Sequence, residues 1–284
     1  MDLQKIVENK ARVSFQSFPE EQFLPKDSSK WRHLATNERG RNNMGKSSVV
    51  IWGLSRDVAE VLPATIARIE KLGEMFANYR VVIYENDSED STRQILLDWS
   101  SASDKVDCIF EDRDDPVNLQ IRDMDRGDRM AYYRNQCRKF VATNYGDYSH
   151  CIVVDTDLAR GWSFEGVANT FGHEGWDMVG SNSFLHKHPM AARLGRPLYF
   201  DVWALRLGTY DVIDGMKGNE MYWEPGSALV PVRSCFGGLG VYTMEAMLRC
   251  SYSGRDCEHV PFHRQMSQQG MGRLFMNPSQ VVLY

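Results

Sequence analysis

From Ser47 to Gly161 the chain alternates short β-branched runs with amphipathic stretches, and this alternation constrains the fold more than any other feature. "SVVIWGL" (48–54), "RVVIYE" (80–85), "VDCIF" (106–110) and "SHCIVVDTDL" (149–158) read as strands. Helical spacing of Val58, Val61, Leu62, Ile66 and Ile69 separates the first two. Asp57 and Glu60 suggest a capping box there, although Pro63 argues that regular helix begins only at Leu62. "STRQILLDW", opened by Ser91 and Gln94, and the long helix 128–143 supply the next two crossovers. Strands joined through helices by short links predict a mainly parallel sheet with helices on both faces, an α/β fold of the Rossmann-like kind. Beyond Gly161 the alternation decays into glycine-, tryptophan- and proline-rich sequence. Residues 1–46 read as a polar extension lying on the main domain, with one helix near 2–12. Residues 47–284 read as a single domain, divided into halves 47–160 and 161–284.

The segment "GRNNMGKSS" (40–48) fits the phosphate-binding pattern G-x-x-x-x-G-K-[ST]. That loop works when a strand delivers the chain to the glycines and a helix leaves them. Here "RHLATNER" precedes and "VVIWGL" follows, so the order is reversed. The match is read as chance, and Lys46 as a solvated lysine. A net charge of −5 argues against general affinity for nucleic acid or anionic membrane. No apolar run approaches the ~20 residues that span a bilayer, and "MDLQKIVENKARVSFQ" lacks a secretory apolar core. The expectation is a reducing, cytoplasmic setting in which the six cysteines are mostly buried free thiols.

"VVDTDL" carries the chemistry. On an extended chain, side chains at i and i+2 point the same way, so Asp155 and Asp157 are expected to present two carboxylates to one point. They stand where an apolar strand ends, the edge at which open α/β sheets bind ligands. Hard oxygen ligands suit Mg²⁺ or Mn²⁺, ions usually shared with substrate phosphates. Glu85, Asn86 and Asp87 end the second strand at the same edge, where they either receive a nucleotide base or ribose or build a turn. Arg134 falls inside the edge of the stripe Met130, Tyr133, Cys137, Phe140 and Val141. A guanidinium there needs an anionic partner, a core carboxylate or a diphosphate.

Together "IWGLSRD", "VVIYENDSEDSTRQIL", "YYRNQCRKF" and "IVVDTDL", with "FDVWALR", "SCFGGLGVY" and "CEHVPFH" downstream, resemble a GT-A fold nucleotide-sugar glycosyltransferase. The nearest likeness is to fungal capsule-associated mannosyltransferase-like enzymes and to soluble glycosyltransferases of large algal DNA viruses. The resemblance spans roughly residues 47–280 and implies a role for each matching position. Asp155 would meet ribose or metal, and Asp157 the metal. Gly53, Leu54, Ser55, Arg56 and Glu85 would line the base and ribose pocket. The turn Gly237–Gly238–Leu239–Gly240 would let backbone approach donor sugar and acceptor. Glu258 would be the catalytic base, and His259 or His263 would complete the metal shell. The fungal enzymes carry a membrane anchor that this sequence lacks, which favours a cytosolic or virus-encoded setting in the host cytoplasm.

The expected reaction moves a sugar from a UDP- or GDP-sugar to a hydroxyl of a glycan or glycoprotein acceptor, with Mn²⁺ or Mg²⁺. UDP is favoured, xylose before mannose or another hexose, and inversion follows from a single base in line with the acceptor. A glutamate reference pKa near ~4.3 leaves Glu258 ionised and able to take the acceptor proton. Asp201, Trp203 and Trp223 are the acceptor candidates, with tryptophan in the core as the competing reading. "CSYSGRDCEHVPFH" also permits a zinc site of Cys250, Cys257, His259 and His263, though C-x6-C-x-H-x3-H matches no common finger. His186 and His188 lie in a loop, where a histidine pair is more often solvated than ligating, though this loop could close over the donor. The rival readings are a sugar-1-phosphate nucleotidyltransferase, for which "WGLSRDV" is poor in glycine, and a non-catalytic glycan-binding module, which has little use for Asp155 and Asp157.

Overall fold

The computed structural model describes residues 18–25, 27–116, 124–185 and 189–284. Strands β1 (Ser48–Ser55), β2 (Asn78–Asn86), β3 (Val106–Glu111) and β4 (His150–Val154) run parallel in the order β3-β2-β1-β4. The inner strands β1, β2 and β4 carry apolar runs because both of their faces are covered, while β3 at the edge is mostly half-buried. Val49 and Ile51 enter one core with Ile66, Ile69 and Leu96. Val50 and Trp52 enter a second core with Cys137, Val141 and Phe262. The first core lies under α2 (Leu62–Gly73) and α3 (Thr92–Ala102), the second under α4 (Met124–Asn144).

The parallel pattern stops at β4. Strand β8 (Leu239–Thr243) pairs antiparallel with β4 and with β5 (Met178–Leu185). Strand β9 (Leu274–Leu283) runs parallel to β5, and the short β6 (Leu198–Tyr199) and β7 (Val230–Pro231) pair antiparallel at its margin. The sheet is therefore mixed, parallel throughout only in its N-terminal half. No described helix is long and apolar enough to cross a membrane.

Helix α1 (Asp27–Met44) occupies much of what the sequence suggested was an irregular extension; the helix expected near 2–12 lies outside the described residues. Its buried face is polar, so no apolar stripe announces it. Asn37 donates to Glu165 at 2.9 Å and Asn43 to the Phe171 carbonyl at 2.9 Å, both on α5 (Phe164–Phe171). The phosphate-loop glycine Gly40 serves this crossing: a Cβ there would stand 1.7 Å from the Ala168 carbonyl oxygen. Gly172 reciprocates against the Thr36 carbonyl at 2.1 Å, and Lys46 stays exposed in the turn before β1. The motif is a helix–helix contact followed by a strand.

Two capping expectations are corrected. Helix α2 starts at Leu62 with Pro63 in its first turn, and Asp57, at φ 52°, instead accepts from the Glu89 amide at 2.7 Å. The N-cap Ser91 of α3 makes no side-chain bond; Asp90 accepts from the Thr92 amide at 2.8 Å and the Ala59 amide at 2.9 Å. The acid one residue earlier reaches both segments, so it displaces the serine.

Candidate active site

A cleft of about 520 Å³ opens beyond the carboxyl ends of β1, β2 and β4. Asp155 and Asp157 stand in it, but not as an i, i+2 pair on an extended chain, because β4 ends at Val154 and a turn follows. Thr156 fixes that turn by donating to the Leu54 carbonyl at 2.7 Å and meeting Ser55 Oγ at 2.9 Å. The two carboxylates consequently have different surroundings. Asp155 Oδ1 accepts from Arg134 Nη2 at 3.4 Å and Oδ2 from the Tyr284 hydroxyl at 3.0 Å. Asp157 is open to water and has no hydrogen-bonded or ion-paired side chain among the described residues. Burial raises the Asp155 pKa, with Arg134 opposing the rise. The cleft walls also raise that of Asp157 by displacing bulk water around a side chain that water still reaches.

Arg134 selects the core-carboxylate alternative without leaving the cleft. Its Nε donates to Glu258 Oε1 at 2.7 Å, and both side chains are only 3% exposed. Burial disfavours the charged guanidinium, but Glu258 and Asp155 outweigh it, so its pKa is raised. Nη1 remains without a hydrogen-bond partner. Arg134→Met is therefore expected to cost the fold about 3–5 kcal/mol in urea denaturation, because Glu258 is left buried and uncompensated. The deficit should shrink as pH falls and protonation relieves Asp155, whose pKa Arg134 holds down against burial; a loss below ~1 kcal/mol at pH 8 would show that the pair is not a structural tie.

Glu258 precedes α6 (His259–Gln268) at 2% exposure and makes no side-chain cap bond. Arg134 holds Oε1, and Oε2 receives only the weak thiol donor of Cys257 at 3.8 Å. His259 stacks on Phe236 with ring centroids 3.9 Å apart, and burial, then Arg134, drive its pKa well below the ordinary histidine value. The neutral ring has both nitrogens unpartnered, with Nε2 3.4 Å from Glu258 Oε1.

His263 stands elsewhere. Its Nδ1 meets Ser234 Oγ at 2.8 Å and its Nε2 meets the Tyr242 hydroxyl at 3.0 Å, so neither nitrogen is free for a metal. It leaves the candidate metal shell, and with it goes the closed Cys250, Cys257, His259, His263 zinc reading. Among the described residues no three His, Cys, Asp or Glu side chains cluster closely enough to cage an ion. All six cysteines are free thiols, five of them buried.

Of the proposed base and ribose residues, Leu54, Ser55, Arg56 and Asn86 line the cleft. Gly53 lies behind them, where a Cβ would strike the Val154 carbonyl at 2.4 Å. Glu85 is fully buried, accepting from the Ser88 amide at 2.9 Å and Arg93 Nε at 2.5 Å, so it builds the turn rather than the pocket. Asp87 beside it takes a building role as well: it accepts from the amides of Arg113, Asp114 and Asp115 and thereby fixes the loop 112–116. Burial works against its charge, yet these bonds bring its pKa down to about 2. Gly238, at φ +81°, makes room for Tyr284: a Cβ would lie 2.4 Å from that hydroxyl. Asp201 and Trp203 face the cleft, with the Arg126 guanidinium 5.0 Å from the Trp203 ring centroid. Trp223, half-buried, packs edge-on against Tyr199 at 5.4 Å at the margin of the core and outside the cleft lining. His186 and His188 lie outside the described residues.

No protein-family model matches the sequence, and no curated protein matches it significantly. Solved structures do. The mannosyltransferase PcManGT from Pyrobaculum calidifontis, in complex with GDP-Man and Mn²⁺, aligns over 99% of this chain and 68% of its own at 11% identity, TM-score 0.51. Glucosyl-3-phosphoglycerate synthase from Mycobacterium tuberculosis, with Mn²⁺, UDP and phosphoglyceric acid, aligns over 87% and 72% at 10% identity, TM-score 0.48. S. aureus TarS 1-349 aligns over 83% and 60% at 9% identity, TM-score 0.48. At such identity the likeness is one of fold, and this mixed sheet with its flanking helices is the GT-A fold, related to that of nucleotide-sugar transferases.

Proposed function

We propose that this protein is a metal-dependent glycosyltransferase that moves a sugar from a UDP- or GDP-sugar to a glycan hydroxyl. The observation that carries the reading is the asymmetry of the two aspartates in one cleft: Asp155 tied to Arg134 and Tyr284, and Asp157 left open. The tied carboxylate is held in place and the open one is free to meet a cation.

The side chains suit a divalent cation in kind. Asp157 offers an unpaired carboxylate and His259 two unpartnered nitrogens, in the same cleft. They do not form a complete cage, which accords with ions that keep several positions for water and substrate phosphate. When bound there, the cation would neutralise charge on the departing diphosphate. Leu54, Ser55, Arg56 and Asn86 form the nucleotide wall, and Gly238 belongs to the donor side through the room it makes for Tyr284. Asp201 and Trp203 are the acceptor residues; the ring offers a face for a sugar. Glu258 acts as general base through Oε2, while Arg134 fixes the other oxygen. A single base of this kind gives inversion. Within the class, we take a UDP-sugar before a GDP-sugar, and xylose before mannose or another hexose, as the first donors to test.

The reading is tested by thermal unfolding with a panel of nucleotide sugars, with and without Mn²⁺. A ligand at about 100 times its Kd adds about 2.7 kcal/mol, several degrees for a domain of this size. The expected result is an upward shift from one UDP- or GDP-sugar that requires Mn²⁺. No shift with any donor, or an equal shift from ATP, would remove the proposal.

A further inference from the structure

We propose that Tyr284 is a positioning residue for the donor: seated in the gap left by Gly238, its hydroxyl holds Asp155 in the orientation that meets a nucleoside diphosphate sugar. The inference deepens the proposed function and rests on it. Tyr284 lies 129 residues from Asp155 in sequence, and no motif joins them.

Three contacts determine the tyrosine's place. Its amide donates to the Phe184 carbonyl at 2.9 Å, which continues the β5–β9 ladder to the rim of the cleft. Its ring packs on Phe200 with centroids 4.1 Å apart. Its hydroxyl then reaches Asp155 Oδ2 at 3.0 Å through space that exists only because residue 238 has no Cβ. The Asp155 backbone is fixed from the same turn, its amide donating to the Gly238 carbonyl at 2.9 Å. With Arg134 on Oδ1 and Tyr284 on Oδ2, both carboxylate oxygens are held from opposite sides. The Arg134 bond is long at 3.4 Å, so it alone would fix the carboxylate plane poorly. The tyrosine supplies the shorter of the two restraints, and packing fixes its own rotamer, as a supporting residue of a binding site requires.

Tyr284→Phe keeps the ring against Phe200 and removes only the hydroxyl. The expected result, by calorimetric titration of the donor and by initial rates, is a roughly tenfold rise in donor Kd and donor KM, the size of one lost bond to a charged acceptor. The acceptor KM should stay within about twofold, a split that a general loosening of the domain would not produce. In an Asp155→Asn background the same substitution should change donor Kd by less than about twofold, because the two residues act through one contact. A Tyr284→Phe protein with wild-type donor affinity, or equal penalties in both backgrounds, would overturn the inference alone. Absence of donor binding by the wild-type protein would overturn it together with the functional reading.

Discussion

Asp157→Ala should reduce metal-dependent release of UDP or GDP by about 10³-fold or more while leaving the fold intact. The magnitude follows from the chemistry at stake: a cation on the leaving diphosphate stabilises the transition state by several kcal/mol, and each 1.36 kcal/mol is tenfold in rate. The fold should tolerate the change because Asp157 is exposed and holds no described side chain, so its removal strands nothing. The Mn²⁺-dependent thermal shift should vanish with the activity. Lys46→Ala is the control: that side chain is exposed before β1, remote from the cleft lining, and should leave turnover intact. Loss of turnover in the lysine variant, with the Asp157 variant active, would return the glycines at 40 and 45 to consideration as a phosphate loop.

Glu258→Gln is expected to lower kcat by about 10²–10⁴-fold, the usual contribution of a positioned base, with donor affinity little changed. The amide keeps an oxygen for Arg134 Nε to donate to, so the buried contact survives in part while the proton acceptor is lost. The pH profile is the second readout: the acidic limb attributed to the base should disappear from residual activity. A variant that lost donor affinity in equal measure, with kcat preserved, would make Glu258 a support for Arg134 and nothing more.

Much of the N-terminal half was legible because its signals are local. A strand covered on both faces must be apolar along its length, and a crossover helix must show a stripe, so β1–β4 and the helices between them follow from periodicity. The cleft at the strand ends follows from the same order. Helix α1 was not legible, since what it buries against α5 is amide, carboxylate and glycine rather than an apolar stripe. The caps misassigned at Asp57 and Ser91 show a related limit: several acids near one helix start compete, and the winner is the one whose neighbours stand in reach.

The sequence by itself determined that a sheet would form, that it would be parallel through β4, and that Asp155 and Asp157 would stand at its rim. The tertiary structure decided everything that depended on which distant group came to meet them. Arg134 could have faced substrate alone; the fold brought it Glu258 from 124 residues away. His263 could have been a ligand, but Ser234 and Tyr242 occupy both its nitrogens. Tyr284 carries no motif, yet β9 delivers it into the space of a missing Cβ. Periodicity reports how a segment divides between water and core. It carries no information on the partner across the core, whose identity is set by sheet order and register over more than a hundred residues.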